Sequence, residues 1–527
     1  MSVSFGPLHA LDHYSSARTK SGMISLRSKR LRLLLQGFCC CSSSSAFSSV
    51  SVAQRLVRRQ HPTATRNNNS DYWRLVASQY SKSFTSNSSD NQNHPLSTHL
   101  FNMPLHQAVP YDPPDWARPV LTNPPSHGRL LLANLPTPLY PLYTPTDNSK
   151  TQSSPLQQHL LESAIPALVK LRISLHVKRD DSSGGVELGG NKIRKLEFLL
   201  AEALARECDS VITIGGEQSN HCRATASAAR MLGLEPHLIL RTKKCASSSS
   251  NNNSILDDLV GNVLVDRMIG SRIYTCTPGE YGRIGSAQLV ARLADHLQTN
   301  EGKRPYPIPV GGSNGLGSWG YIVGVQELLA QWVTQSDTPS LDHIVFACGS
   351  GGTAAGIALG VALAFGGAAA HQATLPTVHA IGVCDDPDYF YKFVARIADE
   401  MGFVSHEEGL TTEDFIRRHM VVHQGKGLGY AQSTADELDF VAQFAQATGM
   451  VLDPVYSGKA LYQFLKVMEE NPDDFRDSNV LFWHTGGALG MFDKVASLTS
   501  KVADISPVER LDVYGKGIGV DISKESS

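Results

Sequence analysis

Residues Gly189–His221 read GGNKIRKLEFLLAEALARECDSVITIGGEQSNH, and this stretch indicates the fold class. Its first part carries apolar residues that share one face of a helix, namely Ile193, Leu196, Leu199, Leu200 and Ala203. The apolar run Ser210–Ile214 follows and is typical of a strand buried on both faces of a parallel sheet. The paired glycines Gly215 and Gly216 then allow a sharp turn. The stretch therefore predicts a helix, a buried strand and a second helix.

The same alternation continues along the chain. Four later apolar runs are strand candidates, namely His237–Arg241, His343–Ala347, His379–Val383 and Asn479–Trp483. Strands that alternate with helices predict α/β layers with mostly parallel sheets and right-handed crossovers. Ligands of such sheets bind beyond the carboxyl ends of the strands, and the glycine-rich motifs of this chain lie at those ends.

Lys192 begins the first predicted helix, directly after Gly189, Gly190 and Asn191. The helix dipole disfavours a cation at the N-terminus, so a lysine at this position suggests use in the neutral form. A lysine with a lowered pKa can form a Schiff base. The alternative, a solvated lysine on the helix surface, fits the nearby Lys195 better.

The turn after the first predicted strand ends in Ser219, Asn220 and His221. These residues lie at the N-terminus of the second predicted helix, where free N–H groups and the dipole attract an anion. The alternative is an ordinary helix start with Ser219 as its N-cap.

A second glycine-rich turn follows the strand that ends at Ala347, and a third follows Trp483. Backbone N–H groups of such a turn can form a nest for phosphate, here contributed by Gly349, Ser350, Gly351, Gly352 and Thr353. It is not a Walker loop, because no GK[ST] follows, and its glycine spacing does not fit a dinucleotide fingerprint. The third turn, His484–Gly487, again offers small polar groups at a strand end.

Several motifs occur in a characteristic order. They are Asn191–Lys192, Gly215–Asn220, PYPIPVGGSNGLGSWGY (Pro305–Tyr321), Gly349–Thr353 and LDPVYSGKA (Leu452–Ala460). Together they closely resemble the 1-aminocyclopropane-1-carboxylate deaminase and D-cysteine desulfhydrase family, over roughly residues 131–497. The resemblance implies pyridoxal 5'-phosphate (PLP) as the cofactor. It also implies PLP fold type II, similar to the tryptophan synthase β chain, with two interleaved three-layer α/β domains and mostly parallel sheets.

The resemblance implies how the cofactor is held. Lys192 matches the lysine that binds PLP covalently, and Asn220 matches the residue that hydrogen-bonds the ring oxygen of the cofactor. The family's phosphate loop corresponds to Gly349, Ser350, Gly351, Gly352 and Thr353. No metal is expected.

The resemblance also implies a substrate site. Ser219, with Asn220 and His221, would receive the carboxylate of an amino-acid substrate. Ser219 also joins Lys192 among the residues expected to be catalytic.

Two tyrosines complete the catalytic set. Tyr430 and Tyr456 match two active-site tyrosines of the family. The Gly-Tyr-Gly around the first of them is here Gly429-Tyr430-Ala431, which is a departure from the family pattern.

Two cofactor-proximal positions separate the activities within the family. The deaminases resemble one another in having a Glu after Asp-Pro-Val-Tyr and a Leu before the last Gly-Gly. This chain has Ser457 at the first position and Thr485 at the second, and in this it resembles the desulfhydrases. A carboxylate near the pyridine nitrogen strengthens the electron sink. Opening a cyclopropane requires that sink, whereas expelling a thiolate does not. The alternative is that Ser457 leaves the reaction unchanged.

The implied reaction is an α,β-elimination that converts D-cysteine and water to pyruvate, hydrogen sulfide and ammonia. Lys192, or a tyrosine acting with it, would remove the Cα proton. Three alternatives remain open, namely a deaminase of the cyclopropane amino acid, a PLP racemase or dehydratase of serine-like substrates, and a catalytically silent PLP-binding protein. The family also predicts a homodimer.

Composition argues against several other classes. The net charge of −2 over 527 residues provides no broad basic field for nucleic acid. The nine cysteines include no CxxC motif, so neither a disulfide framework nor a structural zinc site is expected. The apolar stretch Thr353–Ala370 barely reaches the length of a membrane span. Its small residues favour a helix packed closely on a sheet.

The N-terminal region differs from the rest of the chain. Its first 70 residues contain ten Lys or Arg, many serines and one acidic residue, Asp12. This pattern is typical of an organellar transit peptide, mitochondrial or alternatively plastid, and a disordered basic tail is the other interpretation. The predicted organisation is a leader over 1–100, a linker over 101–130, a catalytic region over 131–497 and a tail over 498–527. Ser247–Ser254 is a low-complexity loop within the catalytic region.

Overall fold

The structure is a computed structural model that describes residues 104–145, 154–243, 259–334, 340–366, 375–503, 505, 506 and 508. The predicted leader, the Ser247–Ser254 loop and most of the predicted tail lie outside the described residues.

The strands of the described residues form two sheets. In chain order they are β1 (Leu139–Tyr143), β2 (Ser174–Arg179), β3 (Ser210–Gly216), β4 (Glu235–Arg241), β5 (Arg272–Cys276), β6 (Pro305–Pro307), β7 (His343–Cys348), β8 (Thr377–Gly382), β9 (Val421–Gln424) and β10 (Asn479–His484). The larger sheet has the order β1-β2-β10-β7-β8-β9, and only β1 is antiparallel to its neighbour. The smaller sheet, β5-β4-β3-β6, is wholly parallel.

Helices cover the faces of both sheets. In chain order they are α1 (Pro155–Ala164), α2 (Ala167–Lys170), α3 (Lys192–Ala205), α4 (Asn220–Met231), α5 (Gly261–Met268), α6 (Pro278–Ile284), α7 (Ser286–Glu301), α8 (Gly315–Thr334), α9 (Gly352–Gly366), α10 (Pro387–Glu400), α11 (Thr412–His419), α12 (Ala435–Thr448), α13 (Ser457–Glu470), α14 (Pro472–Phe475) and α15 (Val495–Ala503).

The predicted strands are confirmed, with ends that differ by at most two residues. They are β3, β4, β7, β8 and β10. The apolar face predicted for the first helix is buried in α3. Its side chains pack with residues of the smaller sheet and of neighbouring helices. The predicted α/β layering is therefore present.

The small-residue stretch that begins at Thr353 forms α9, which ends at Gly366. It packs against another helix, α8, and its glycines lie at the contact. A Cβ at Gly356 would be 2.4 Å from Cβ of Tyr321, and one at Gly360 would be 2.8 Å from a methyl carbon of Val325. Within the described residues, no helix is long and apolar enough to cross a membrane.

The segment predicted as a linker packs on the folded region. Val109 pairs with Arg129 in an isolated bridge, and Leu121 pairs with Phe403. Ala117 and Leu121 are buried in the main core. Its many prolines lack backbone donors and prevent a regular strand, but its apolar side chains still find partners. The folded part thus begins before residue 131.

Candidate active site

The carboxyl ends of strands from both sheets meet at a cavity of about 580 Å³. Residues at the ends of β3 and β4 line one side, and residues that follow β7 and β10 line the other. The site thus lies where parallel α/β sheets place their ligands.

Lys192 is the first residue of α3, and its side chain reaches the cavity. Its Nζ donates to Oδ1 of Asn191 at 2.9 Å. Burial and, to a smaller extent, the positive charge of Arg223 lower the pKa of Lys192 to about 8, against the opposing effects of Asp453 and Cys348. A substantial fraction of this amine is therefore neutral near physiological pH, as a nucleophilic or basic lysine requires.

Asn191 connects Lys192 to the two other sides of the cavity. Its Nδ2 donates to Oγ1 of Thr353 at 3.0 Å, and its backbone N–H donates to the carbonyl oxygen of Thr485 at 3.0 Å. From the sequence, Asn191 is predicted only as part of a motif, and neither contact is predicted. Its adjacency to Lys192 was the only available signal, because both partners are distant in sequence.

The turn between β7 and α9 forms a concave backbone surface at the start of a 15-residue helix. Gly351 has a φ of +79°, which favours glycine. Ser313 supports the turn from below, since its Oγ accepts the N–H of Gly352 at 3.2 Å and bonds Oγ of Ser350 at 2.9 Å. Ser313 belongs to the motif Pro305–Tyr321, but this role is not predictable from the motif. N–H groups at this helix N-terminus suit a phosphate monoester.

The start of α4 forms a second site for an anion. Ser219 is the N-cap of α4, since its Oγ accepts the N–H of Cys222 at 3.2 Å. The hydroxyl therefore has the capping role that the sequence offered as an alternative. Asn220 accepts from Nδ2 of Asn262 through its Oδ1 at 3.1 Å. Its own Nδ2 lies beside Gly487, where a Cβ would approach it to 3.1 Å.

His221 is buried next to the cavity and is neutral. Its Nε2 lies 2.8 Å from Oγ1 of Thr213, whose proton goes to the carbonyl oxygen of Ile308. Nε2 of His221 must therefore be the donor in this pair. Burial, with smaller contributions from Lys192 and Lys195, holds the pKa of His221 well below its usual range.

Tyr430 and Tyr456 both line the cavity, with hydroxyl oxygens 2.7 Å apart. Burial raises the pKa of both phenols, so both are protonated. One of the two hydroxyl protons forms the hydrogen bond between the tyrosines, and the other can be donated to a ligand. Arg241, which the sequence analysis missed, lies over the ring of Tyr430 at 5.3 Å.

Ser457 is fully buried at the start of α13. Its hydroxyl donates to Oδ1 of Asp453 at 2.7 Å and accepts the N–H of Asp453 at 3.0 Å. Asp453 also accepts the N–H groups of Val455 and Tyr456. The Ser457–Asp453 pair thus shapes the turn that carries Tyr456, and Thr485 lines the cavity beside it.

The structure brings together almost every residue that the sequence analysis singled out. The cavity is lined by Lys192, Ser219, Asn220, His221, Gly349, Ser350, Gly351, Thr353, Tyr430, Tyr456 and Thr485. Gly352 and Ser457 lie behind this surface, Gly352 against Ser313 and Ser457 against Asp453.

Comparisons with known proteins show the family of the chain. Residues 160–486 match the family described as pyridoxal-phosphate dependent enzyme. The chain is 44% identical to the Arabidopsis thaliana bifunctional D-cysteine desulfhydrase/1-aminocyclopropane-1-carboxylate deaminase, mitochondrial, over 77% of this chain and 88% of the relative. It is 33% identical to a Klebsiella pneumoniae D-cysteine desulfhydrase, over 60% of this chain and 88% of the relative. A crystal structure described as an ACC deaminase homologue superimposes with a TM-score of 0.54 at 28% identity, covering 74% of this chain and 99% of that one.

Proposed function

The chain belongs to the family of pyridoxal-phosphate-dependent enzymes, and from this premise we propose that it releases hydrogen sulfide, pyruvate and ammonia from D-cysteine. One observation carries the proposal. A lysine amine of lowered pKa opens into a cavity that also contains the N-termini of α4 and α9. These two helix ends suit the two anionic groups of the reaction, a substrate carboxylate and a cofactor phosphate.

The residues of the cavity fit PLP. The loop Gly349–Thr353 is closely packed on the side away from the cavity, since a Cβ at Gly352 would lie 2.8 Å from Oγ of Ser313. Ser350 and Thr353 line the cavity itself. We assign the phosphate to this loop, the covalent link to Lys192 and the ring oxygen to Asn220. When bound, PLP supplies an electron sink for the pair left at Cα after proton removal.

The protein groups would then act in sequence. The N-terminus of α4, with Ser219, binds and orients the substrate carboxylate. The neutral amine of Lys192 takes the Cα proton. The hydroxyl proton that Tyr430 and Tyr456 do not share is available to the departing sulfur.

A specific observation favours a second activity, the deamination of 1-aminocyclopropane-1-carboxylate. The Arabidopsis relative bears the names of both activities. Ser457 replaces the glutamate of the deaminases, but the carboxylate of Asp453 lies one hydrogen bond behind it, at 2.7 Å. A carboxylate close to the ring site would support the stronger electron sink that this reaction requires.

The test compares sulfide, pyruvate and ammonia release from D-cysteine, L-cysteine and the cyclopropane amino acid. Sulfide from D-cysteine is the expected result, and replacement of Lys192 by Ala should abolish turnover and the absorbance of the lysine–cofactor link. Ammonia from the cyclopropane substrate without sulfide would select the deaminase. Full activity of the Lys192→Ala variant would refute the assignment of Lys192.

We further propose a mitochondrial location and a homodimer. The basic, acid-poor first 70 residues support the location, as does the word mitochondrial in the name of the Arabidopsis relative. Residues 1–100 fused to a fluorescent protein should enter mitochondria, and plastid fluorescence would overturn this assignment. Light scattering of the purified chain tests the dimer.

A further inference from the structure

Arg223 lies in the first turn of α4 and is only 2% exposed. Its guanidinium donates to the carbonyl oxygens of Val186 (2.7 Å), Glu187 (2.6 Å) and Gly189 (3.0 Å) and to Oδ1 of Asn262 (2.8 Å). All four acceptors are uncharged. The hydrogen bonds therefore satisfy the guanidinium without neutralising its charge.

These bonds fix the loop that leads into α3. Gly189 lies three residues before Lys192, and a Cβ at Gly189 would be 2.8 Å from the carbonyl oxygens of Asp181 and Gly185. The loop is thus closely packed on one side and hydrogen-bonded to Arg223 on the other. Arg223 thereby helps to place the backbone that delivers Lys192 to the cavity.

Asp266, in α5, is a buried carboxylate whose charge reaches Arg223, together with that of Glu187. Neither carboxylate oxygen of Asp266 has a hydrogen-bond partner among the described residues. Burial raises the pKa of Asp266 to about 8, against the opposing charge of Arg223. Asp266 is thus mostly protonated at pH 7, and only its ionised form, at higher pH, offsets the charge of Arg223.

The amine of Lys192 lies within the field of Arg223, which is the largest influence on its pKa after burial. Other titratable groups act on it or feel its charge from the surrounding elements. They are Lys195 of α3, His221 of α4, Cys348 of β7 and Asp453 before α13. Lys195 is itself a buried amine whose pKa burial lowers well below its usual value, so Arg223 is the strongest permanent cation of the set.

We propose that Arg223 is a positioning residue for Lys192. Its hydrogen bonds fix the loop before α3, and its buried charge favours the loss of the proton from the Lys192 amine. This inference rests on the proposed role of Lys192 as the cofactor-bearing lysine. Ionised Asp266 would offset part of the charge of Arg223, so its effect on the Lys192 amine should be opposite in sign to that of Arg223.

The test measures acetylation of Lys192 by acetic anhydride in the full chain with PLP removed, by peptide mass spectrometry between pH 6 and 10. Only the neutral amine reacts, so the profile yields the titration midpoint of this residue. Arg223→Gln removes the charge and should raise the titration midpoint of Lys192 by about one pH unit. The neutral fraction at pH 7 then falls, so acetylation at this pH should be roughly tenfold slower. Asp266→Asn, of the same shape but never ionised, should lower the midpoint.

Arg223→Lys is the matched control, because it keeps the charge but lacks the planar fork of donors. Its midpoint should stay near that of the wild type, while its affinity for PLP falls because the loop before α3 is less firmly held. Shifts of opposite sign in Arg223→Gln and Asp266→Asn support the proposal. Unchanged midpoints in both variants, or shifts of the same sign, overturn it. Asp266→Asn reports on the charge even if Arg223→Gln does not fold.

Borohydride reduction of the holoenzyme separates this inference from the proposed function. If the reduced cofactor is found on another lysine, the proposed function fails. If it is found on Lys192 and the midpoints do not move, only the role of Arg223 fails.

Discussion

Ala431 follows Tyr430 in a left-handed backbone conformation, with a φ of +59°. This conformation costs an L-residue about 1–2 kcal/mol, whereas glycine adopts it without a steric penalty. The sequence departs from the glycine of the resembling family at this position. We therefore expect Ala431→Gly to increase the free energy of unfolding by about 0.5–1 kcal/mol, after allowing for the greater freedom of glycine in the unfolded chain. Urea denaturation at pH 7 measures the change.

Ala445→Gly is the matched control for this substitution. Ala445 lies within α12, where glycine should lower the free energy of unfolding by about 1 kcal/mol. If both variants lose stability to the same extent, the strain assigned to Ala431 is absent.

At the residue scale, the sequence predicted side chains whose function follows from local position. Ser219 is an example, since a serine before a helix is a cap wherever the helix lies, and the structure has the cap. Asn191 and Arg223 are different, because their partners are distant in sequence or lie in another loop. No local pattern distinguishes a buried arginine bonded to three carbonyls from one on a helix surface.

The close contact between α8 and α9 depends on glycines within α9. A Cβ at Gly356 would lie 2.4 Å from Cβ of Tyr321 and 2.5 Å from the carbonyl oxygen of Ser318. Gly356→Ala must therefore push the helices apart, and we expect a loss of about 1–3 kcal/mol in the free energy of unfolding. Gly366→Ala, at the end of the same helix, meets no atom within 4 Å and should leave stability almost unchanged. Urea denaturation of both variants measures the change in the free energy of unfolding. Equal losses in the two variants would show that Gly356 is not required for the close contact of the helices.

Three histidines form a row across the larger sheet on β7, β8 and β9, and two of them, His343 and His379, are buried. Nδ1 of His343 lies 3.0 Å from Nε2 of His379, and Nδ1 of His379 lies 2.9 Å from Nε2 of His423. Nε2 of His343 meets the carbonyl oxygen of Asp474 at 3.2 Å. A carbonyl only accepts, so His343 donates from Nε2. Each Nδ1 then accepts from the next ring, and all three rings are neutral.

This row predicts a loss of stability in acid. Burial lowers the pKa of His343, His379 and His423 in the folded state. The unfolded chain thus binds more protons once the pH falls below about 6.5, the ordinary pKa of histidine. The stabilisation is complete above that pH and decreases by up to about 1.4 kcal/mol per pH unit for each histidine below it.

The measurement is the free energy of unfolding of the wild type and of His379→Gln at pH 7 and pH 5.5. The variant should be less stable at pH 7 but should lose less stability on acidification. An equal loss in both proteins would show that this row does not titrate on unfolding.

At the element scale, the sequence predicted five of the ten strands in the described residues, because strands buried on both faces are continuous apolar runs. The histidines at the starts of these runs gave no sign of contacting one another, since strand order is not a local property. The neighbours β7 and β8 follow each other along the chain, but β10 enters the sheet between β2 and β7. For the same reason the sequence predicted the sheet beneath α9 but not its second partner, α8.

At the scale of the whole molecule, a cavity lies between the two sheets of the described residues. The predicted α/β fold of PLP type II is confirmed by the family match and by the deaminase homologue structure. The sequence placed most lining residues on turns at strand ends, and those turns converge because parallel strands end at the same edge. It did not predict how the segment before residue 131 packs, because isolated apolar residues between prolines carry no periodic signal.

A fully buried group of four charges connects the larger sheet to the helix that begins with Lys192. Lys178 is in β2, Arg194 in α3 and Glu327 in α8, and Asp180 follows β2. Arg194 donates to Asp180 at 2.7 Å and to Glu327 at 3.0 Å, and Lys178 donates to Glu327. Two positive and two negative charges balance, so the group is stable only when complete.

Glu327→Gln should therefore destabilise the protein strongly. The substitution keeps the shape but leaves one buried positive charge uncompensated, and breaking such a group costs about 3–5 kcal/mol. The double variant Lys178→Met/Glu327→Gln leaves Arg194 paired with Asp180 and restores neutrality, so it should be more stable than Glu327→Gln alone. Thermal and urea denaturation of both variants test this order. If Glu327→Gln is as stable as the wild type, α3 is held by its apolar face alone, and the charges do not link the Lys192 helix to the larger sheet.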